Sequence, residues 1–213
     1  MYQFPKNFSK LDAAYIKEHP EFELKAERLL SRVEEIRKKM QLPQVNVIIS
    51  SDGDTSARCF GTRHSWTPIV VSINEVSFTE QTYEEIEAQI AHELSHAFYS
   101  DELKDILFST SFLIADMIGY YFSPLAVPAI EMASAPIHWY RHYQKEKAAD
   151  LKGMEVLNTS QGFVALRKTQ LARNIALSKV PGLNITPQGD SLYDIYHPPL
   201  TERLAYAKAF IPK

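Results

Sequence analysis

The 213-residue chain holds a single cysteine, Cys59. One thiol cannot close a disulfide within the chain, and Cys-rich zinc sites are excluded with it. Glycine is scarce too, at 7 against 12 prolines, which rules out collagen-like and low-complexity chains. Neither sign of charge dominates: 23 Lys and Arg face 26 Asp and Glu, for a net charge of −3. No broad basic field results, which argues against nucleic acid as a partner. No apolar core follows the opening MYQFPKNFSKLDAAY. No secretory signal is therefore evident, and the expected compartment is the cytoplasm. Internal repeats are absent.

What remains is an ordinary globular composition, 45 % hydrophobic and 23 % charged. The length suits one large or two small domains with a sizeable core. Residues 1–20 read as a loop and a short helix ending near Pro20. From Glu23 to Met40, the residues Leu24, Leu29, Leu30, Val33, Ile36 and Met40 recur at helical spacing among charges, predicting an amphipathic helix. Val45–Ser50 is a β-branched run and predicts a strand. SDGDTS is a loop, Ala57–Gly61 a second strand and Ile69–Ile73 a third. Thr82 and Glu85 form a capping box that opens a helix with Ile86, Ile90, Leu94, Ala97 and Phe98 on its apolar face. Helices are also predicted over Ile137–Leu157, Gly162–Ser178 and Pro199–Phe210. Helices outnumber strands and the strands cluster early, which predicts an α+β, mostly helical fold with a small N-terminal sheet. A division into a helical extension, residues 1–40, and a domain, residues 41–213, is expected, with one continuous unit over 1–213 as the alternative.

Within the capped helix lies AHELSHAFYS. His92 and His96 stand one turn apart on one helix face, so both imidazoles can reach one zinc ion. Glu93 follows the first histidine, where its carboxylate can take a proton from water at the metal. The competing reading is a pair of ordinary helix histidines. A catalytic zinc needs a third protein ligand and an open fourth position. Fifty residues on, Glu146 and Asp150 share a helix face in WYRHYQKEKAAD. Glu146 can bind the metal while Asp150 receives the outer N–H of a ligand histidine. His138 and His142 repeat the i, i+4 spacing and could form a second site, although an interfacial role suits them better. Further on, His197 precedes two prolines that stiffen its backbone. It could enter the site and donate to a developing oxyanion. Arg203, on the following helix, could pair with Asp150.

One run is unusual. Ile106–Ile130 carries a single charge, Asp116, across 25 residues. Its length would span a bilayer, but Asp116, Pro124 and Pro128 interrupt it. A buried or interfacial helical segment is the preferred reading.

Three pieces in order, AHELSHAF, the ExxxD of EKAAD, and HPPLTERL, resemble the M48 family of zinc metallopeptidases, a gluzincin group, over roughly Val45 to Phe210. The resemblance implies one Zn2+ per chain on His92, His96 and Glu146, with Glu93 as general base. It places Asp150 behind the ligands, His197 near the scissile carbonyl and Arg203 in a structural role. It also implies that Ile69, Val70, Val71, Ser72 and Ile73 form the sheet-edge strand that holds an extended peptide. Ser95 stands where many relatives carry glycine. The paired transmembrane helices of membrane-embedded members are reduced here to one apolar hairpin, Ile106–Ile137, with membrane-surface association as its expected use. The expected partner is a peptide or protein substrate, and the expected activity is zinc endopeptidase. Two alternatives stand beside it: a silent or self-inhibited zinc-stabilised scaffold, and a membrane-associated adaptor working through residues 106–137.

Overall fold

A computed structural model describes residues 17, 19–50, 57–64, 66–180, 182–192, 194 and 197–212. Most of the loop and short helix expected over residues 1–20, and the whole SDGDTS loop, residues 51–56, fall outside the described residues. After a single 3-10 turn, Pro20–Phe22, helix α1 runs over Glu23–Met40. Its buried residues are Ala26, Leu29, Val33, Ile36 and Met40, a stripe at three- and four-residue steps. The polar face is laced by Glu34–Arg37 and Glu35–Lys39 ion pairs. Gln41 ends the helix in the left-handed region, φ 53°, and its N–H caps the Arg37 and Lys38 carbonyls.

Three strands follow: β1 (Val45–Ser50), β2 (Arg58–Phe60) and β3 (Ile69–Asn74). The sheet order is β1-β3-β2. β1 pairs parallel with β3, Val45 opposite Ile69, and β2 pairs antiparallel, Cys59 opposite Val71. This corrects the edge-strand assignment of Ile69–Ile73. The run is the middle strand, paired on both sides, so its main chain has no free edge for a peptide. Ile69, Val70, Val71 and Ile73 are all buried, as expected of a strand covered on both faces.

Helix α2 (Glu75–Glu80) is capped by the Asn74 side chain, which accepts from the Val76 N–H. Helix α3 (Tyr83–Tyr99) starts at the expected capping box, Thr82 with Glu85. It is the central helix, with Ile86, Ile90, Ala91 and Leu94 fully buried. Helix α4 (Asp101–Phe122) and the 32-residue helix α5 (Ala126–Leu157) form a hairpin. Helices α6 (Gln161–Leu177) and α7 (Leu200–Ala209) complete the chain. The fold is α+β and mostly helical. One hydrophobic core takes residues from α1, β1, β3, α2, α3, the end of α5, α6 and α7. The helix assigned to a separate extension is thus built into the core of the rest.

The end of α5, residues 149–157, brings Met154, Val156 and Leu157 into that core; the earlier part of α5 and α4 project from it. Leu113, Met117, Tyr121, Phe122, Leu125 and Met132 on the projecting part are all more than half exposed. Among the described residues, no helix is long and apolar enough to cross a membrane.

Candidate metal centre and its cleft

Helix α3 carries His92, Glu93 and His96 in its last two turns, and α5 carries Glu146 and Asp150 one turn apart. The two helices can meet here because Gly153 has no side chain. A Cβ at that position would lie 3.2 Å from the Ala91 carbonyl carbon and 3.3 Å from the His92 nitrogen. The close crossing brings Glu146, about two turns before Gly153, against both histidines.

The side-chain ligand atoms of His92, His96 and Glu146 converge, all within 4.8 Å of one another. His92 Nε2 is 3.2 Å from His96 Nε2 and 3.3 Å from Glu146 Oε2, and His96 Nε2 is 3.2 Å from Glu146 Oε1. Ligand atoms about 2.0–2.1 Å from a tetrahedral zinc are roughly 3.3–3.4 Å apart, close to the spacing found between the two imidazoles and between each imidazole and one carboxylate oxygen. The outer nitrogens point the same way. His92 Nδ1 lies 2.8 Å from Asp150 Oδ1, and His96 Nδ1 lies 2.9 Å from Asp101 Oδ2. Asp101 takes the Nδ1 side of His96 and Asp150 Oδ1 faces His92 Nδ1, so in the neutral rings both Nε2 atoms are left as lone pairs. In that state two lone pairs and a carboxylate converge with no donor of their own. Glu146 Oε2 is buried and accepts no hydrogen bond. A cation between the two imidazoles and the carboxylate satisfies all three groups. Among the described residues, this is the one cluster of three side chains whose ligand atoms come together this way.

The electrostatics express the same demand. Burial pushes the His96 imidazole down, but Asp101 and Glu146 outweigh it and lift it to about 10. Burial likewise opposes the charge on Glu146, yet the two imidazoles hold its carboxyl far below the usual range. The pocket is built to surround positive charge. Glu93 differs: its own burial raises it above the ordinary glutamate value, partly offset by the two histidines and the Cys59 N–H. A raised carboxyl is the better proton acceptor.

Asp150 is 1 % exposed and fully partnered. Arg203 grips it twice, Nε to Oδ2 at 2.7 Å and Nη2 to Oδ1 at 2.8 Å. Arg167 Nη2 adds a bond at 3.0 Å, and the Tyr206 hydroxyl donates to Oδ2. Burial works against the Asp150 charge, but Arg167, Arg203 and His92 hold its carboxyl well below the ordinary value. The expected Asp150–Arg203 pair is therefore present. Arg167, Tyr206 and Asp101 were not singled out from the sequence. Arg167 had a readable signal: a charge among Phe163, Leu166 and Leu171 on the buried face of α6. Asp101 had none. It reaches His96 because Ser100, at φ 55°, turns the chain sharply between α3 and α4.

His197 arrives from the loop before α7. Its Nε2 stands 3.6 Å from Glu146 Oε2, and its Nδ1 is 2.7 Å from Asp194 Oδ1. It lines a cleft of about 470 Å³ together with Gln89, His92, Glu93, Glu146 and Arg203. Glu93 also borders a second hollow of about 580 Å³ with Cys59, His96 and Asp101. The two hollows flank Glu93, so an extended chain can pass across it. The strand beside Glu93 is β2, whose Cys59 lines the same hollow. His138 packs between the Phe108 and Phe112 rings, at 4.7 and 5.3 Å between centroids. His138 and His142 do not belong to a three-ligand cluster among the described residues.

Compared with known proteins, residues 23–211 match the family model described as Peptidase family M48. No curated protein and no solved structure matches the chain.

Proposed function

The chain belongs to peptidase family M48, a metallopeptidase family, and from that premise we propose that it is a zinc-dependent endopeptidase with Glu93 as general base. The observation that carries the reading is the convergence of His92, His96 and Glu146: the two Nε2 atoms stand 3.2 Å apart and each has a Glu146 carboxylate oxygen at 3.2 to 3.3 Å, spacings that suit a zinc-sized cation. Zinc, when bound there, polarises a scissile carbonyl and makes a water nucleophilic near neutral pH. Asp150 and Asp101 keep the two ligand rings in the tautomer that presents Nε2. Glu93 removes the proton of the attacking water and delivers it to the leaving amine. His197, held at Nδ1 by Asp194, donates from Nε2 to the developing oxyanion when the ring carries both protons. The substrate runs through the paired hollows, its main chain against β2 rather than β3.

A pair of variants tests this. Glu93→Gln is expected to retain one zinc per chain and lose cleavage of casein. Glu146→Ala is expected to lose the zinc as well. Undiminished proteolysis by Glu93→Gln would refute the mechanism.

The projecting hairpin supports a second element of the reading, contact of residues 106–137 with a membrane surface. Its exposed aromatic and aliphatic residues cluster at the turn, Tyr121, Phe122 and Leu125. Such side chains gain by entering the headgroup boundary. Flotation with liposomes is expected for the wild type and lost in Phe122→Ser/Leu125→Ser; equal flotation of both would remove it.

A further inference from the structure

The cleft contains a polar side chain that neither the fold nor the metal centre uses. Gln89 lies on α3 one turn before His92 and Glu93. It is 8 % exposed and lines the same cleft as Glu93 and Glu146. Its Oε1 is buried without a hydrogen-bond partner.

Its neighbours across the cleft are already engaged. Gln170 Oε1 accepts from Arg167 Nη1 at 2.7 Å, and Asn174 Nδ2 donates to the Gly189 carbonyl at 2.8 Å. Buried acceptors are normally satisfied, and an orphan beside a cleft points to a ligand that completes it. A carboxamide offers one acceptor and two donors in a plane, and its terminal torsion turns readily. That plane matches one peptide unit, with its N–H and C=O edges.

The spacing says which unit. Residues four apart on a helix stand about 5–6 Å from one another, and an extended chain advances about 3.3 Å per residue. Gln89 is therefore one to two residues along the substrate from the bond that Glu93 serves.

We infer that Gln89 is a substrate-positioning residue: its carboxamide hydrogen-bonds a main-chain peptide group of the bound chain, one to two residues from the scissile bond. The inference rests on the endopeptidase reading and adds a recognition contact that is indifferent to substrate side chains. It favours extended segments with a free main-chain amide at that place over segments with proline or an ester there.

The experiment compares the zinc-loaded wild type with Gln89→Met, which keeps the length and apolar volume. The probe is a cleavable peptide and a series of analogues in which each flanking amide is replaced in turn by an ester. Zinc content is expected to stay at one per chain in Gln89→Met, while kcat/KM on the all-amide peptide falls about three- to tenfold, the worth of one net hydrogen bond. One ester analogue should be slower than the parent peptide with wild type and equal to it with Gln89→Met. The inference is overturned if Gln89→Met cleaves the parent like wild type, if every ester has the same effect on both proteins, or if the variant loses its zinc. Failure of the endopeptidase reading looks different: wild type and Glu93→Gln then behave alike on the parent peptide.

Discussion

Replacing Asp150 by Asn keeps the shape of the side chain and removes its charge. Asp150 Oδ2 accepts from Arg203 Nε and the Tyr206 hydroxyl, and Oδ1 from Arg203 Nη2 and Arg167 Nη2, with His92 Nδ1 at 2.8 Å. Every one of these groups is a donor, and an amide returns only one oxygen. In either orientation its NH2 faces at least one donor. Two buried guanidiniums also lose their counter-charge. Removing one partner of a buried ion pair typically costs about 3–5 kcal/mol, a third or more of the stability of an ordinary domain. The metal centre suffers as well. Arg203 Nη1 already stands 3.7 Å from Glu146 Oε2, and without Asp150 it draws that carboxylate away from the histidines. His92 loses the group that fixes its tautomer, an effect worth about 10- to 100-fold in metal affinity. Urea unfolding of the metal-free protein measures the first loss, and competition with a chelator of known affinity measures the second. A stability change under about 1 kcal/mol together with unchanged zinc affinity would refute the claim that Asp150 joins the core to the metal centre.

Gly153→Ala should separate α5 from α3. The added Cβ would fall 2.6 Å from Phe163 Cζ and 3.2 Å from the Ala91 carbonyl carbon. The ring can turn, but the backbone cannot, so a loss of about 1–3 kcal/mol is expected by thermal unfolding, with weaker zinc binding. An unchanged melting temperature and zinc affinity would contradict the close crossing. Thr169→Val removes the hydroxyl that donates to Glu85 Oε1 at 2.7 Å. Burial raises the Glu85 carboxyl, but the bonds from Thr169 and Thr82 outweigh it and hold it below its ordinary 4.5. A lowered folded-state value stabilises the fold above the unfolded value and loses that effect as pH falls through the folded one. The variant should be about 1–2 kcal/mol less stable at neutral pH, and the gap should close as acid protonates Glu85. A gap that persists in acid would show that packing, not the charged bond, is at stake.

Local patterns carried most of the secondary structure. The α1 stripe, the Val45–Ser50 strand and the Thr82 capping box depend on near neighbours, so spacing alone revealed them. The same holds for His92 and His96, because an i, i+4 pair meets on any helix. The ExxxD spacing put Glu146 and Asp150 on one face for the same reason. The edge assignment of Ile69–Ile73 failed because strand order is not local. A β-branched run suits the middle or the edge of a sheet, and only the docking of Arg58–Phe60 alongside decided that it is central.

What the sequence by itself determined is most of the longer helices, the strands and the chemical types available one turn apart. Those follow from short-range sterics, capping and side-chain periodicity. It missed the short helix Glu75–Glu80, and it started at Ile137 the helix that begins at Ala126. Tertiary structure alone decided that Glu146 meets the histidines, that Asp101 and Asp150 take their outer nitrogens, and that Arg167, Arg203 and Tyr206 surround Asp150. Each of these contacts joins residues from different elements, and their distance is set by how closely two helices pack, here at Gly153, where the missing side chain lets α5 lie against α3.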